Sequence, residues 1–285
     1  MAIDYDKIKN WKFDDVTHTY TERDSMLYAL GLGFGANPVD EDELKFVYEK
    51  NLHAVPTMGV VLAAAFGWAR DPASGINYTK VVHGEQSLLL HKPLPASGTI
   101  IGKTHISHLI DKGADKGAVI YQARELFDQK TGDKLATVQS ATFARGDGGF
   151  GRTDAPPPAA PATPDGKPDA VCDIPTLPQA ALIYRLSGDY NPLHAEPAIG
   201  RAAGFKQPIL HGLCTYGVAG RAILKTICGY DSSKLLGVAV RFSSPVYPGE
   251  TIRTEMYRDG KRVLFRSRVV ERDVVVLSNG VATLA

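Results

Sequence analysis

Tyr184-Arg-Leu-Ser-Gly-Asp-Tyr-Asn-Pro-Leu-His194 has a shorter echo earlier in the chain, Tyr28-Ala-Leu-Gly-Leu-Gly33. A second pair of words keeps the same order: Pro93-Leu-Pro-Ala-Ser-Gly-Thr-Ile100 and Pro245-Val-Tyr-Pro-Gly-Glu-Thr-Ile252. The offset is roughly 152–156 residues, too long for a solenoid repeat and suited to a duplicated domain. Chance could supply either match alone, but not easily both in register.

The elements around these words repeat as well. In the first half, Thr21-Glu-Arg-Asp24 is a capping-type start for a helix through Met26, Leu27, Tyr28 and Leu30. A Gly-rich loop follows at 31–37, then a short helical piece through Leu44, Phe46, Val47 and Tyr48. An apolar helix is expected over Met58–Trp68, ahead of strands near 81–90, 98–109, 117–128 and 134–144. In the second half, Thr176-Leu-Pro-Gln179 is expected to cap a helix through Ala181, Ile183, Tyr184 and Leu186. The 187–194 loop comes next, then a short helical piece at 197–203. A small-residue helix over 211–227 precedes strands near 235–244, 251–257, 262–271 and 274–283.

Residues 155–168 carry proline at a density that neither a helix nor a central strand tolerates, so they read as an extended linker. The expected division is 1–154, a linker at 155–170, and 171–285. An apolar helix before mostly antiparallel strands means a sheet with one face to cover and a helix to cover it. The fold class is therefore α+β, duplicated.

At 285 residues the chain can bury a large core, and its net charge of +1 comes from interspersed signs. That balance gives no electrostatic case for nucleic acid or for an anionic membrane surface. The three cysteines are odd in number and lack metal-type spacing, which fits a reduced setting. The first residues lack a secretory layout, the last are not Ser-Lys-Leu, and the most apolar stretch is too short to span a bilayer. A cytoplasmic location is the expectation.

Asp189, Asn191 and His194 stand at i, i+2 and i+5 on a loop bent by Gly188 and Pro192, where they can converge. A carboxylate and an imidazole that share one water can remove a proton from it and deliver one to carbon. Asn191 can fix that water or orient a partner, since its amide both donates and accepts. Gly212 lies at the start of the small-residue helix, with an unpaired N–H and no side chain to block a ligand carbonyl. One such donor contributes roughly 3–4 kcal/mol to a transition state. An Asp-x-Asn pair alone is most often turn chemistry or part of a calcium loop, but Pro192 and Leu193 occupy positions where calcium would need oxygen ligands. The combination of loop and helix start favours acid–base catalysis.

The run from Tyr184 to His194 resembles the hydratase 2 motif of MaoC-like (R)-specific enoyl-CoA hydratases, with no departure from the pattern. Leu44-Lys-Phe-Val-Tyr-Glu49, Val55-Pro-Thr-Met-Gly59, His83-Gly-Glu-Gln86, Lys92-Pro-Leu-Pro95, Asp111-Lys-Gly113 and Gly148-Gly-Phe-Gly151 extend the resemblance from about residue 12 to the end. It implies a double hot dog fold, two curved sheets each wrapped around a central helix. It also implies that Asp189 and His194 are the catalytic pair, that Asn191 supports them, and that the Gly212 amide binds the thioester oxygen. His83, Gly84, Lys112, Tyr190, Pro192, Leu193, His211 and Phe242 fall on substrate or coenzyme A positions by the same resemblance.

The implied reaction is reversible hydration of trans-2-enoyl-CoA to (3R)-3-hydroxyacyl-CoA. It needs no metal and no cofactor beyond the coenzyme A of the substrate. Gly33 and Gly35 align with Asp189 and Asn191, and no histidine follows, so one active site per chain is expected. The glycines and the small residues of 58–65 suggest room for an acyl chain in the first half. A homodimer is plausible from exposed sheet edges. The rival readings are an acyl-CoA thioesterase and a non-catalytic acyl-CoA-binding subunit.

Overall fold

The computed structural model describes residues 3–65 and 67–285. Its ten strands form one sheet in the order β1-β3-β4-β5-β2-β7-β10-β9-β8-β6. The strands are β1 Val16–Tyr20, β2 Val81–Leu90, β3 Gly98–Asp111, β4 Ala118–Asp128 and β5 Lys134–Ala144 in the first half. In the second they are β6 Ala170–Pro175, β7 Leu235–Phe242, β8 Thr251–Asp259, β9 Arg262–Val269 and β10 Val274–Leu284. Read outward from the β2·β7 seam, the two halves repeat the same order, which is the duplication expressed as topology.

All pairings are antiparallel, and at the seam Glu85 faces Arg241, Ser87 faces Ala239 and Leu89 faces Gly237. The seam consumes one edge of each half and leaves only β1 and β6 open. Neither of those strands was among the expected ones, because five or six residues carry too little alternation to stand out.

The helices are α1 Tyr5–Lys9, α2 Glu22–Gly31, α3 Glu41–Leu44, α4 Ala180–Tyr184, α5 Pro197–Ala202 and α6 Gly212–Thr226. Helix α2 starts in the capping box expected of Thr21 and Asp24. No helix among the described residues is long and apolar enough to cross a membrane.

Helix α6 is the centre of the molecule. Eleven of its residues, Cys214 to Leu224, are buried, and the main core draws on both halves around it. Its small residues admit the first half to close range. A methyl group at Gly220 would lie 2.5 Å from Thr57 Cγ2, and one at Gly217 2.6 Å from Leu32 Cδ2.

Among the described residues, the first half has no matching helix. In place of the one expected over Met58–Trp68, Pro56–Val60 forms a short 3-10 turn and Ala63 takes a positive φ of 47°. Tertiary bonds to its backbone outcompete helix formation: Arg124 Nη2 donates to the Val60 carbonyl at 2.7 Å, and the Ala63 N–H donates to His18 Nδ1 at 2.9 Å. Met58–Ala63 are buried as their composition demands, but as a thin strap without an α-helix, wedged between α6 and the first-half strands.

Two smaller expectations also change. Thr176 does not cap α4; its hydroxyl bonds the Glu250 carbonyl and the Gly249 N–H instead. The helix ends at Tyr184, and Arg185–Ser187 tighten into a 3-10 turn that carries the chain towards the site.

Candidate active site

The loop after α4 turns sharply at Gly188, whose φ of 117° excludes side chains in practice. The next residues build a nest of local bonds. Asp189 Oδ1 accepts from the Asn191 N–H at 3.2 Å, and Asn191 Oδ1 accepts from the Leu193 N–H at 3.1 Å. The second bond caps the 3-10 turn Pro192–His194, in which Pro192 presets the first φ. Asn191 thus shapes the turn that presents His194.

His194 is buried, and its Nδ1–H donates to the Ile209 carbonyl at 2.8 Å. That bond fixes the tautomer and leaves Nε2 with its lone pair free. Burial pushes the imidazole pKa below its ordinary value, while the Ile209 carbonyl and Asp189 pull the other way. His194 is therefore an uncharged base near neutrality.

His211 stacks on it, with ring centroids 3.8 Å apart and planes at 27°. Its Nε2–H donates to the backbone carbonyl of Asp189 at 3.1 Å, and its Nδ1 is buried without a partner. Burial and the neighbouring His194 push its pKa down to about 4. The residue that sequence places among the substrate contacts is only 1% exposed, and it braces both Asp189 and His194.

One ligand atom each from Asp189, His194 and His211 lies within 4.8 Å of the other two. Such a set could in principle hold a cation. Two stacked rings, however, direct their in-plane lone pairs side by side rather than to one point, and one nitrogen of each ring is already bonded. The arrangement suits the sharing of a water better than the ligation of a metal.

Helix α6 begins at Gly212 with His211 as its cap. The first N–H groups of a helix lack internal partners, and the helix dipole favours negative charge there. A methyl group at Gly212 would press the Phe242 ring at 3.2 Å. Phe242 closes the end of β7 and packs on His83, with centroids 4.8 Å apart.

His83 owes its position to a bulge: it pairs with Thr142 and Glu85 with Ala141, which leaves Gly84 extra. His83, Gly84, Gly212 and Phe242 thus form one wall. Tyr190 is 56% exposed beside Arg185, 4.8 Å from ring to guanidinium, while Pro192 and Leu193 are half-buried. Lys112 sits apart, on the exposed turn between β3 and β4 at the sheet end where β2 begins. Ile209, whose carbonyl anchors His194, gave no signal in sequence, because any residue supplies a carbonyl.

A duplicated sheet sharing one core helix, with a single acid–base loop facing that helix's first turn, defines the double hot dog class of thioester enzymes. Residues 159–280 match the MaoC like domain, and residues 18–146 match the MFE-2 hydratase 2 N-terminal domain. The chain belongs to the MaoC-like enoyl-CoA hydratase 2 family.

It is 38% identical over 283 residues to enoyl-CoA hydratase 2, peroxisomal, of Arabidopsis thaliana, covering 94% of this chain and 91% of that protein. It is 40% identical over 291 residues to 3-hydroxyacyl-thioester dehydratase Y of Mycobacterium tuberculosis, covering 98% of each. Peroxisomal multifunctional enzyme type 2 of Mus musculus is 42% identical over 283 residues, but the match spans 37% of that longer protein.

Among solved structures, a MaoC-like dehydratase from Phytophthora capsici has a TM-score of 0.87 at 38% identity, covering 99% of both chains. A Mycobacterium tuberculosis protein described as a double hotdog fold has a TM-score of 0.55 at 14% identity, covering 94% of this chain and 93% of that one, and shows the fold alone.

Proposed function

We propose that this chain adds water reversibly across the C2–C3 bond of trans-2-enoyl-CoA, giving (3R)-3-hydroxyacyl-CoA. The observation that carries the reading is the convergence of Asp189 and His194, a carboxylate oxygen and a ring nitrogen lying within 4.8 Å of each other, beside the first turn of α6. The free Nε2 of His194 and the Asp189 carboxylate hold one water between them. Its oxygen bonds to C3, one of its protons passes to the dyad, and the dyad returns a proton to C2. The negative charge that gathers on the thioester oxygen meets the Gly212 N–H. Dehydration runs the same steps backwards.

The names of the Arabidopsis and mycobacterial relatives support the hydro-lyase reading and the acyl-thioester substrate. The chemistry calls for no metal or cofactor beyond the coenzyme A of the substrate. His83 and Phe242 flank the thioester, and Lys112 meets coenzyme A phosphate as a point charge. The acyl chain extends into the first half, where the strap over 56–63 is thinner than a helix. The proposal includes a homodimer and a cytoplasmic setting, checked by sedimentation and by cell fractionation.

The test is loss of enoyl absorbance with crotonyl-CoA, with chiral analysis of the alcohol. Asp189→Ala and His194→Ala should each abolish turnover with the fold intact. Release of free thiol in place of hydration identifies a thioesterase, and binding without turnover identifies a carrier subunit.

A further inference from the structure

Arg124 lies on β4, is only 7% exposed, and has no carboxylate partner among the described residues. Its one hydrogen bond is from Nη2 to the Val60 carbonyl, and its Nε is buried without a partner. Burial alone pushes the guanidinium pKa down to about 10, with no acidic group to offset it. Directly across the strand pair stands Thr104, whose hydroxyl is also buried and unpartnered. An unpaired buried charge is among the most costly features a core can carry, and two orphaned groups side by side require a common explanation.

The hydrogen-bonding side chains beside Arg124 are an amide and an imidazole rather than carboxylates. Gln122, two residues earlier on β4, accepts from Trp68 Nε1 at 3.0 Å. His18 accepts from the Ala63 N–H, and burial lowers its pKa against a pull from Asp24, with a smaller push down from Arg124. Arg124 is thus tied to the strap that replaces the first-half helix. The strap in turn packs on α6 where Thr57 meets Gly220. From Gly212 to Gly220 the helix rises about 12 Å. An acyl chain that left a thioester at Gly212 and followed α6 for this length would end beside the strap.

We propose that Arg124 and Thr104 form a subsite for a carboxylate at the distal end of the acyl chain, so that the enzyme takes ω-carboxylated enoyl-CoA thioesters. This rests on the acyl-CoA reading above. A carboxylate accepts two parallel N–H bonds from a guanidinium, and a hydroxyl beside it adds a third donor. Hydrophobic chains of equal length leave both groups orphaned.

The experiment compares kcat/KM for a medium-chain trans-2-enoyl-CoA and its ω-carboxylated counterpart of the same length, in wild type and in Arg124→Leu. The wild type should favour the carboxylated substrate by about tenfold or more, and Arg124→Leu should remove or reverse that preference. Crotonyl-CoA, too short to reach the subsite, should be turned over equally by both proteins.

An equal substrate ratio in the two proteins overturns the proposal. So does a thermal midpoint that rises with chloride in the wild type alone while the ratio stays flat, since that assigns the site to a free inorganic anion. Failure of the wild type to hydrate crotonyl-CoA defeats the hydratase reading instead, which keeps the two failures distinct.

Discussion

His194 and His211 lie ring on ring at 3.8 Å, and each spends one nitrogen on a backbone carbonyl, that of Ile209 and that of Asp189 respectively. The pair therefore ties the 188–194 loop to the segment leading into α6 at two points. Arg185 and the Asp189 carboxylate are the charged groups that act on His211, and the Tyr184 ring packs 5.1 Å from it.

This pairing predicts a division of labour that substitutions at His211 can separate. His211→Phe keeps a ring against His194 and loses the donor to Asp189; His211→Gln keeps a donor and loses most of the stack. Each should lower kcat by about tenfold, and His211→Ala by about a hundredfold, with KM changed less than about threefold. A rise in KM at unchanged kcat would move His211 to the substrate contacts.

The same pair sets a pH dependence of stability. His211 has its pKa depressed to about 4 in the folded chain, against an ordinary value of 6.5. Between those values the unfolded chain binds a proton that the folded chain does not. Stability is therefore full above pH 6.5 and declines as pH falls towards 4. The decline attributable to His211 is on the order of 2–3 kcal/mol. Thermal midpoints from pH 4 to 7.5 should show it, and His211→Gln should flatten the curve.

Gly212→Ala places a methyl group 3.2 Å from the Phe242 ring and beside the amide proposed to receive the thioester oxygen. We expect kcat/KM to fall by about 10²-fold, with little change in thermal midpoint. If the loss arises from pressure on the ring, Phe242→Leu in the same chain should restore part of it. Steady-state kinetics of the single and double variants give the answer.

Far from the dyad, Glu43 anchors the first half to α6. Its Oε1 accepts from Arg221 Nη2 at 2.6 Å and from Tyr230 at 2.5 Å, and its Oε2 from the Gly35 N–H at 2.8 Å. Removing one partner strands a buried charge, so Arg221→Met should cost about 3–5 kcal/mol in urea unfolding. Glu43→Gln with Arg221→Met should cost less than Arg221→Met alone. Equal losses in the two proteins would show that packing, not charge, dominates there.

The legible parts of the fold were those with long periodic patterns. β2 and β5 run over the residues their alternation marks, and α6 differs from its expected span by one residue at each end. The convergence of Asp189 and His194 and the start of α6 at Gly212 were legible because they follow from side chains, or the lack of one, at fixed spacing. Met58–Trp68 misled because an apolar run of small and β-branched residues says that it is buried, not how. Arg124 and His18, which hold its backbone, come from strands remote in sequence. The role of Ile209 was invisible for a related reason: it acts through its main chain.

The β2·β7 seam has one more consequence. When two identical chains meet to make such a sheet, every substitution appears on both sides, so neither copy can specialise. Here the partners are joined in one polypeptide and are free to diverge. Gly33 can stand opposite Asp189, and the ground beneath it can be given to the Glu43 anchor. Tandem fusion thus lets one half carry the Glu43 anchor on α6 while the other carries Asp189 and His194.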